Sequence, residues 1–272
     1  MTRHSYPRIA VLLPTYNPGP ELAATLDSLR KQSVPFRLFL VDDGSKRPGD
    51  YEALTQGMDV RILRLPQNLG ITGAMNKGLD AIMADAFDYV ARIDTGDFCR
   101  PERFATQLAY MDTNPQIGIV GSAVEFRLFD GNGKLVGEKT MTFPLSNEAC
   151  IKRLPLNSPI IHPAMLIRRQ VFETLKAYSE NYPAAEDFEL LWRAHKAGYQ
   201  LINLPETLLT KEETPGSISQ QRRRKQIMSR LRIQWHNRNL LHPRCWLGLV
   251  KSLVTWAMPA GAVHALKFMT GK

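Results

Sequence analysis

The stretch YVARIDTGDF, residues 89–98, runs a short apolar strand pattern straight into two carboxylates, Asp94 and Asp97. Carboxylates at the end of a buried strand are costly unless a hydrogen bond, a cation or a metal compensates them. Three more polar clusters follow apolar runs: PTYN (14–17), DDGS (42–45) and QNLG (67–70). One such cluster is ordinarily a turn or a helix cap. Four in succession, each at the carboxyl end of a strand, mark the crevice where open α/β sheets bind ligands. A further acidic pair, Glu186 and Asp187, opens the segment AEDFELLWR (185–193). From spacing alone that pair suits the first turn of a helix, where acidic residues complement the dipole.

The elements that must position these groups alternate along the first hundred residues. RIAVLLP (8–14), FRLFLVDD (36–43), VRILRLP (60–66) and YVARID (89–94) read as strands. PELAATLDSLRKQ (20–32) and GITGAMNKGLDAIMA (70–84) have helical patterns. Strands apolar through their middles and separated by helices predict a mostly parallel sheet covered on both faces, an α/β fold. Beyond Pro101 the pattern changes. IGIVGSAVEFRLFDGNGKLVGEKT (117–140) predicts a hairpin around Gly131–Gly133, and AMLIRR (164–169) another strand. A helix over 186–197 and a last strand, GYQLINLP (198–205), follow. The glycines of 70–78 lack the G-x-G-x-x-G spacing, and no G-x-x-x-x-G-K-[ST] loop occurs, so the commonest nucleotide folds are excluded.

Charge is divided unevenly. Residues 219–272 hold eleven Lys or Arg and no acid, which leaves 24 basic and 26 acidic residues in the first 218. The body is slightly acidic, and all of the excess positive charge is in the tail. Three cysteines, Cys99, Cys150 and Cys245, form no C-x-x-C pair, which points to a reducing compartment and away from a zinc knuckle. The apolar run near the N-terminus is too short for a secretory signal, and no uninterrupted apolar stretch is long enough to span a bilayer. Basic charge without a reader motif gives no support to nucleic-acid binding.

The set VLLPTYN, VDDGS, NLGITGAMNKGL, ARIDTGDFCRPERF, HPAML and AEDFELLWR, in this order over residues 8–218, resembles the family 2 glycosyltransferases, inverting enzymes of the GT-A fold that use nucleotide-sugar donors. The resemblance implies a Rossmann-like nucleotide-binding half (1–100), an acceptor half (101–218) and an appended basic helical tail (219–272). It implies that Thr15, Tyr16 and Asp42, with Asp43 adjacent, hold the nucleoside, and that Asp94 lies near the donor ribose and diphosphate. Pro14, Asn68, Gly70, Asn76, Lys77 and Arg92 complete the donor site carried over from the family. Asp187 matches the family's base, which takes the acceptor hydroxyl proton, and His162 and Glu186 fall on the acceptor side. A divalent metal, Mg²⁺ or Mn²⁺, is expected to neutralise the leaving diphosphate. Here the chain departs from the family. Gly96 replaces the middle acid of Asp-x-Asp-Asp, and Thr214 stands where many relatives have a histidine. Asp97 is then the expected ligand, helped by Glu212 or Glu213; alternatively Arg92 or Lys77 helps neutralise the diphosphate. Trp192 is expected in the core.

The expected function is transfer of one sugar from a UDP-, dTDP- or GDP-sugar to a glycan acceptor, in assembly of a bacterial surface polysaccharide such as lipopolysaccharide or capsule. Two alternatives compete. A sugar-nucleotide-forming nucleotidyltransferase would carry a basic Gly-rich loop after the first strand, and LPTYNPGPE has no basic residue. A non-catalytic binding protein on the same fold would fail to hydrolyse donor. In the tail, RRRKQIMSRLR (222–232) precedes CWLGLVKSLVTWA (245–257), whose Trp246, Leu249, Val250, Leu253, Trp256 and Ala257 recur at helical spacing opposite Lys251 and Thr255. A second apolar piece, AGAVHALKFM, spans 260–269. Such a segment either packs as ordinary core or lies on an anionic membrane. The second reading predicts a cytoplasmic protein, peripheral on the inner face of the membrane and acting on a lipid-linked acceptor.

Overall fold

In the computed structural model, which describes residues 8–214, 223–239 and 241–258, the first strand β1 (Ile9–Thr15) is buried along its whole length. Its odd and even residues feed different layers, because successive strand side chains point to opposite faces. Ala10 and Leu12 join Phe39 and Val41 of β2 (Phe36–Asp42) beneath α3 (Gly70–Met83). Ile9, Val11 and Leu13 join Leu38 and Leu40 beneath α1 (Glu21–Arg30). The approach of α3 to the sheet is close. A Cβ on Gly78 would lie 2.3 Å from Leu12 Cδ1 and 2.8 Å from Val41 Cγ2, so only glycine fits there without a shift.

The remaining elements are α2 (Tyr51–Leu54), β3 (Val60–Arg64), β4 (Tyr89–Arg92), β5 (Asp97–Cys99), α4 (Arg103–Thr113), β6 (Ile117–Phe129), β7 (Leu135–Met141), α5 (Asn147–Arg153), β8 (Leu166–Arg168), α6 (Arg169–Leu175), α7 (Glu186–Lys196), β9 (Gln200–Glu213), α8 (Arg223–His236) and α9 (Pro243–Ala257). Strand order across the sheet is β3-β2-β1-β4-β8-β6-β9-β5, with β7 paired to β6. The β3-β2-β1-β4 half is parallel, as the sequence predicts, and β8 enters antiparallel beside β4. The hairpin over β6 and β7 is also present.

Two predicted strands have different limits. The one at 164–169 is reduced to β8, preceded by a 3-10 turn at His162–Ala164. The last strand is longer than its apolar run. Pro205 and Glu206 fall in a register shift against β6, after which β9 continues to Glu213 and pairs antiparallel with β5. That extension sets Lys211 directly opposite Asp97.

In the tail, α8 inserts Ile233 into the core beside α7, and Ser229 Oγ donates to Pro183 O at 2.8 Å. Helix α9 packs on α8 through Cys245, Leu249 and Ser252, with Ser252 Oγ donating to Gln234 Oε1 at 2.8 Å. Leu249 is therefore interior, whereas Trp246, Leu247, Val250, Leu253, Val254 and Trp256 are exposed. Among the described residues no helix is long and apolar enough to cross a membrane. The apolar piece at 260–269 lies outside the described residues.

Candidate active site

The carboxyl ends of β1 and β2 form the first wall. Asp42 Oδ1 accepts from Ser45 N at 3.0 Å, and Asn17 Oδ1 accepts from the backbone N–H groups of Lys46 and Arg47. These bonds tie the PTYN and DDGS loops into one rim. Asp43 turns the other way and takes the loop after β3: its Oδ1 accepts from Leu69 N at 2.7 Å and its Oδ2 from Asn68 Nδ2 at 2.9 Å. Gly44 has φ +66°, and a Cβ on it would meet Gln67 C at 2.3 Å. Asp43 and Asn68 thus brace the rim, and Gly70, at φ +78°, turns the chain into α3. Pro14 and Thr15 are buried, and Tyr16 is exposed at the edge. Thr15 Oγ1 is buried with no hydrogen-bond partner among the described residues. An unmade buried hydrogen bond costs about 1–3 kcal/mol.

Not every donor-site candidate is turned to this crevice. Asn76 clamps the backbone of Tyr178 through both its amide atoms, at 3.0 and 2.9 Å. Lys77 is largely exposed on α3, 3.8 Å from Asp80.

The centre of the site is charged and interior. Arg92, 1% exposed at the end of β4, donates to Ile93 O and to the Asp94 carboxylate, with its Nε 3.2 Å from Met75 Sδ. Asp97 is equally buried, and Lys211 Nζ donates to both its oxygens, at 2.9 and 3.2 Å. Burial opposes ionisation of Asp94, but Arg92 and then Lys211 outweigh it and hold its pKa low. For Asp97 burial prevails, with Lys211 opposing and Asp94 adding to it, and its pKa is raised. Here lies the compensation that a strand ending in two carboxylates requires: one guanidinium and one ammonium.

The acceptor-side candidates converge on the same centre. His162 is buried, its Nε2 3.1 Å from the Tyr178 hydroxyl. Burial, reinforced by the Arg92 charge, pushes its pKa down to about 3, so the imidazole is neutral. Helix α7 begins after Ala184, a non-glycine residue at φ +62°, a conformation that costs energy and clusters at functional sites. Its first two residues are Glu186 and Asp187. Burial raises the pKa of both; the Asp187 charge adds to it for Glu186, and Asp94 lies near enough to raise Asp187 further. Glu186 Oε2 has no partner among the described residues. Trp192 is interior, as expected.

Three residues here were not picked out from the sequence: Tyr178, Lys211 and Arg230. Arg230, on α8, donates to Leu156 O at 2.9 Å and Asn157 Oδ1 at 2.6 Å, and its guanidinium lies 5.3 Å from the Phe188 ring centroid. Its charge opposes the rise in the Asp187 pKa. Within the basic run of 222–232 nothing in the spacing separates this inward residue from its neighbours.

Residues 10–176, more than half of the chain, match the family model described as Glycosyl transferase family 2. The chain belongs to that family. It is 32% identical over 206 residues to the amylovoran biosynthesis glycosyltransferase AmsE of Erwinia amylovora, covering 74% of each chain. It is 25% identical to the UDP-Gal:alpha-D-GlcNAc-diphosphoundecaprenol beta-1,3-galactosyltransferase of Escherichia coli, covering 85% of this chain and 83% of that one. Among solved structures, a mannosyltransferase from Pyrobaculum calidifontis in complex with GDP-Man and Mn²⁺ has a TM-score of 0.64 at 16% identity. That likeness covers 97% of this chain and 81% of the other, and it carries the GT-A fold.

For this family 2 chain, the residues do not fit a ready cation site. Both oxygens of Asp97 hold Lys211, and Glu212 sits opposite Arg127 of β6, one residue out of phase with Lys211. Among the described residues no group of three or more His, Cys, Asp or Glu side chains is set to hold a metal.

Proposed function

We propose that the chain transfers a single hexose, with inversion, from a nucleotide-diphosphate sugar to a glycan acceptor. The observation that carries this reading is the acidic pair Glu186–Asp187. It opens α7 within electrostatic reach of Asp94 at the strand ends, with the pKa of each raised by burial. In the proposed reaction Asp187 accepts the proton of an acceptor hydroxyl. The acceptor oxygen then bonds to the sugar's anomeric carbon, and the bond from that carbon to the diphosphate oxygen breaks. The electron pair leaves with the nucleoside diphosphate, and attack from the face opposite it inverts the centre. A well-placed base contributes about 10²–10⁴ in rate. Thr15, Tyr16 and Asp42, at the carboxyl ends of β1 and β2, would hold the nucleoside. No step is routed through a divalent cation.

The relatives and solved neighbours favour a UDP- or GDP-sugar donor and a place in bacterial surface polysaccharide assembly. The diphosphoundecaprenol in the name of the E. coli relative favours a lipid-linked acceptor. The exposed apolar face of α9 favours attachment to the inner face of the cytoplasmic membrane, where such an acceptor is anchored. A panel of these nucleotide sugars, followed by NMR without acceptor, tests the reaction. Slow release of nucleoside diphosphate with a free sugar first seen in the opposite anomeric configuration is expected. Retention of configuration would refute inversion, and no release from any donor would favour the non-catalytic alternative.

A further inference from the structure

The DTGD segment that links β4 to β5 carries two carboxylates, and the cation that holds the second belongs to the chain itself. Lys211 and Asp97 are register partners on β9 and β5. The Asp97 side chain is 2% exposed and Lys211 23%, so the carboxylate is sealed while the lysine keeps some access to solvent. Two of the three ammonium donors are engaged by Asp97, and the third has no acceptor among the described residues. Asp94, 36% exposed, lies close enough for Lys211 to act on its charge. Both oxygens of the carboxylate that a bound cation would need are therefore already taken by an ammonium.

Asp94 and Asp97 each already have a cationic partner, Arg92 and Lys211. A divalent cation taking Asp97 would have to displace Lys211 from a buried carboxylate.

We infer that Lys211, held in place by Asp97, binds the donor diphosphate and stabilises the leaving group in place of a divalent metal. The inference rests on the donor reading above and goes beyond it by naming the group that carries the charge. An ammonium on a strand is fixed before the donor arrives, and preorganised charge is what stabilises a developing anion.

Calorimetric titration of UDP, dTDP and GDP, in EDTA and in MnCl₂, tests it without recourse to activity. The nucleotide that binds is expected to bind within about threefold as tightly in EDTA as in Mn²⁺. Lys211→Met should weaken binding in EDTA about tenfold or more, and Lys211→Arg should keep most of it. Because Lys211→Met strands a buried carboxylate, Lys211→Met with Asp97→Asn is the companion variant. It should melt near the wild-type temperature and still bind weakly. Binding that requires Mn²⁺, or wild-type affinity in the double variant, would overturn the role of Lys211 while leaving the donor reading intact. No binding of any nucleotide in either buffer would overturn the donor reading, and this inference with it.

Discussion

A general base works only when ionised, so the surroundings of Asp187 set the pH at which the proposed reaction runs. Burial raises its pKa, while the backbone N–H groups at the start of α7 and the Arg230 charge oppose the rise. Transfer should therefore fall as pH drops through a value above the ordinary aspartate pKa of about 3.9, because protonation removes the base. Deleting the Arg230 charge withdraws one opposing influence. In Arg230→Gln the acidic limb of the rate profile should move to higher pH, and Arg230→Lys should move it back. A limb that stays in place in the glutamine variant would show that α8 only packs against α7. The carboxylates were legible from the sequence because Asp94, Asp97, Glu186 and Asp187 sit at strand and helix ends, where acids are either costly or capping. Their cationic partners were not. Arg92 lies two residues from Asp94 and is among the donor-site candidates, but Lys211 and Arg230 are far away in sequence and resemble ordinary surface residues until the fold closes.

At the scale of elements, the parallel half was legible because its strands are apolar throughout and its helices carry period-3.6 stripes, as Leu22, Leu26 and Leu29 do on α1. The acceptor half was less so. Short helices such as α5 and α6 have too few turns to show a period, and β8 keeps only three residues of its predicted run. The decisive miss was β9. Pro205 reads as a strand end, since proline lacks the donor that a ladder needs. The chain absorbs Pro205 and Glu206 in a register shift and continues to Glu213. What reads as an acidic loop able to lend metal ligands is the strand that carries Lys211 to Asp97. The resemblance named the donor and acceptor candidates, and the register determined which of them meet.

At the scale of the molecule, the tail has two characters. Helix α8 is part of the body, with Ile233 in the core and Arg230 turned inward. Helix α9 rides on α8 and leaves Trp246, Leu247, Val250, Leu253 and Val254 exposed. With basic residues on either side and no acid beyond residue 218, this face suits an anionic bilayer. Each basic residue near such a surface contributes about 1 kcal/mol, so several suffice for reversible attachment. The full-length protein should co-sediment with phosphatidylglycerol vesicles at low salt and release at high salt. Replacing Trp246 and Leu253 together by Ser should weaken attachment without altering donor hydrolysis. If the wild type ignores anionic vesicles at low salt, the exposed face serves another partner.

The central claim is that Asp187 is the base of a nucleotide-sugar transfer, and the Asp187→Asn variant tests it most directly. Asparagine keeps the size and hydrogen bonding of the side chain and removes its basicity. With the donor that the wild type hydrolyses, turnover should fall about 100-fold or more. Nucleotide affinity and melting temperature should stay close to wild type. Turnover near the wild-type rate would contradict the account.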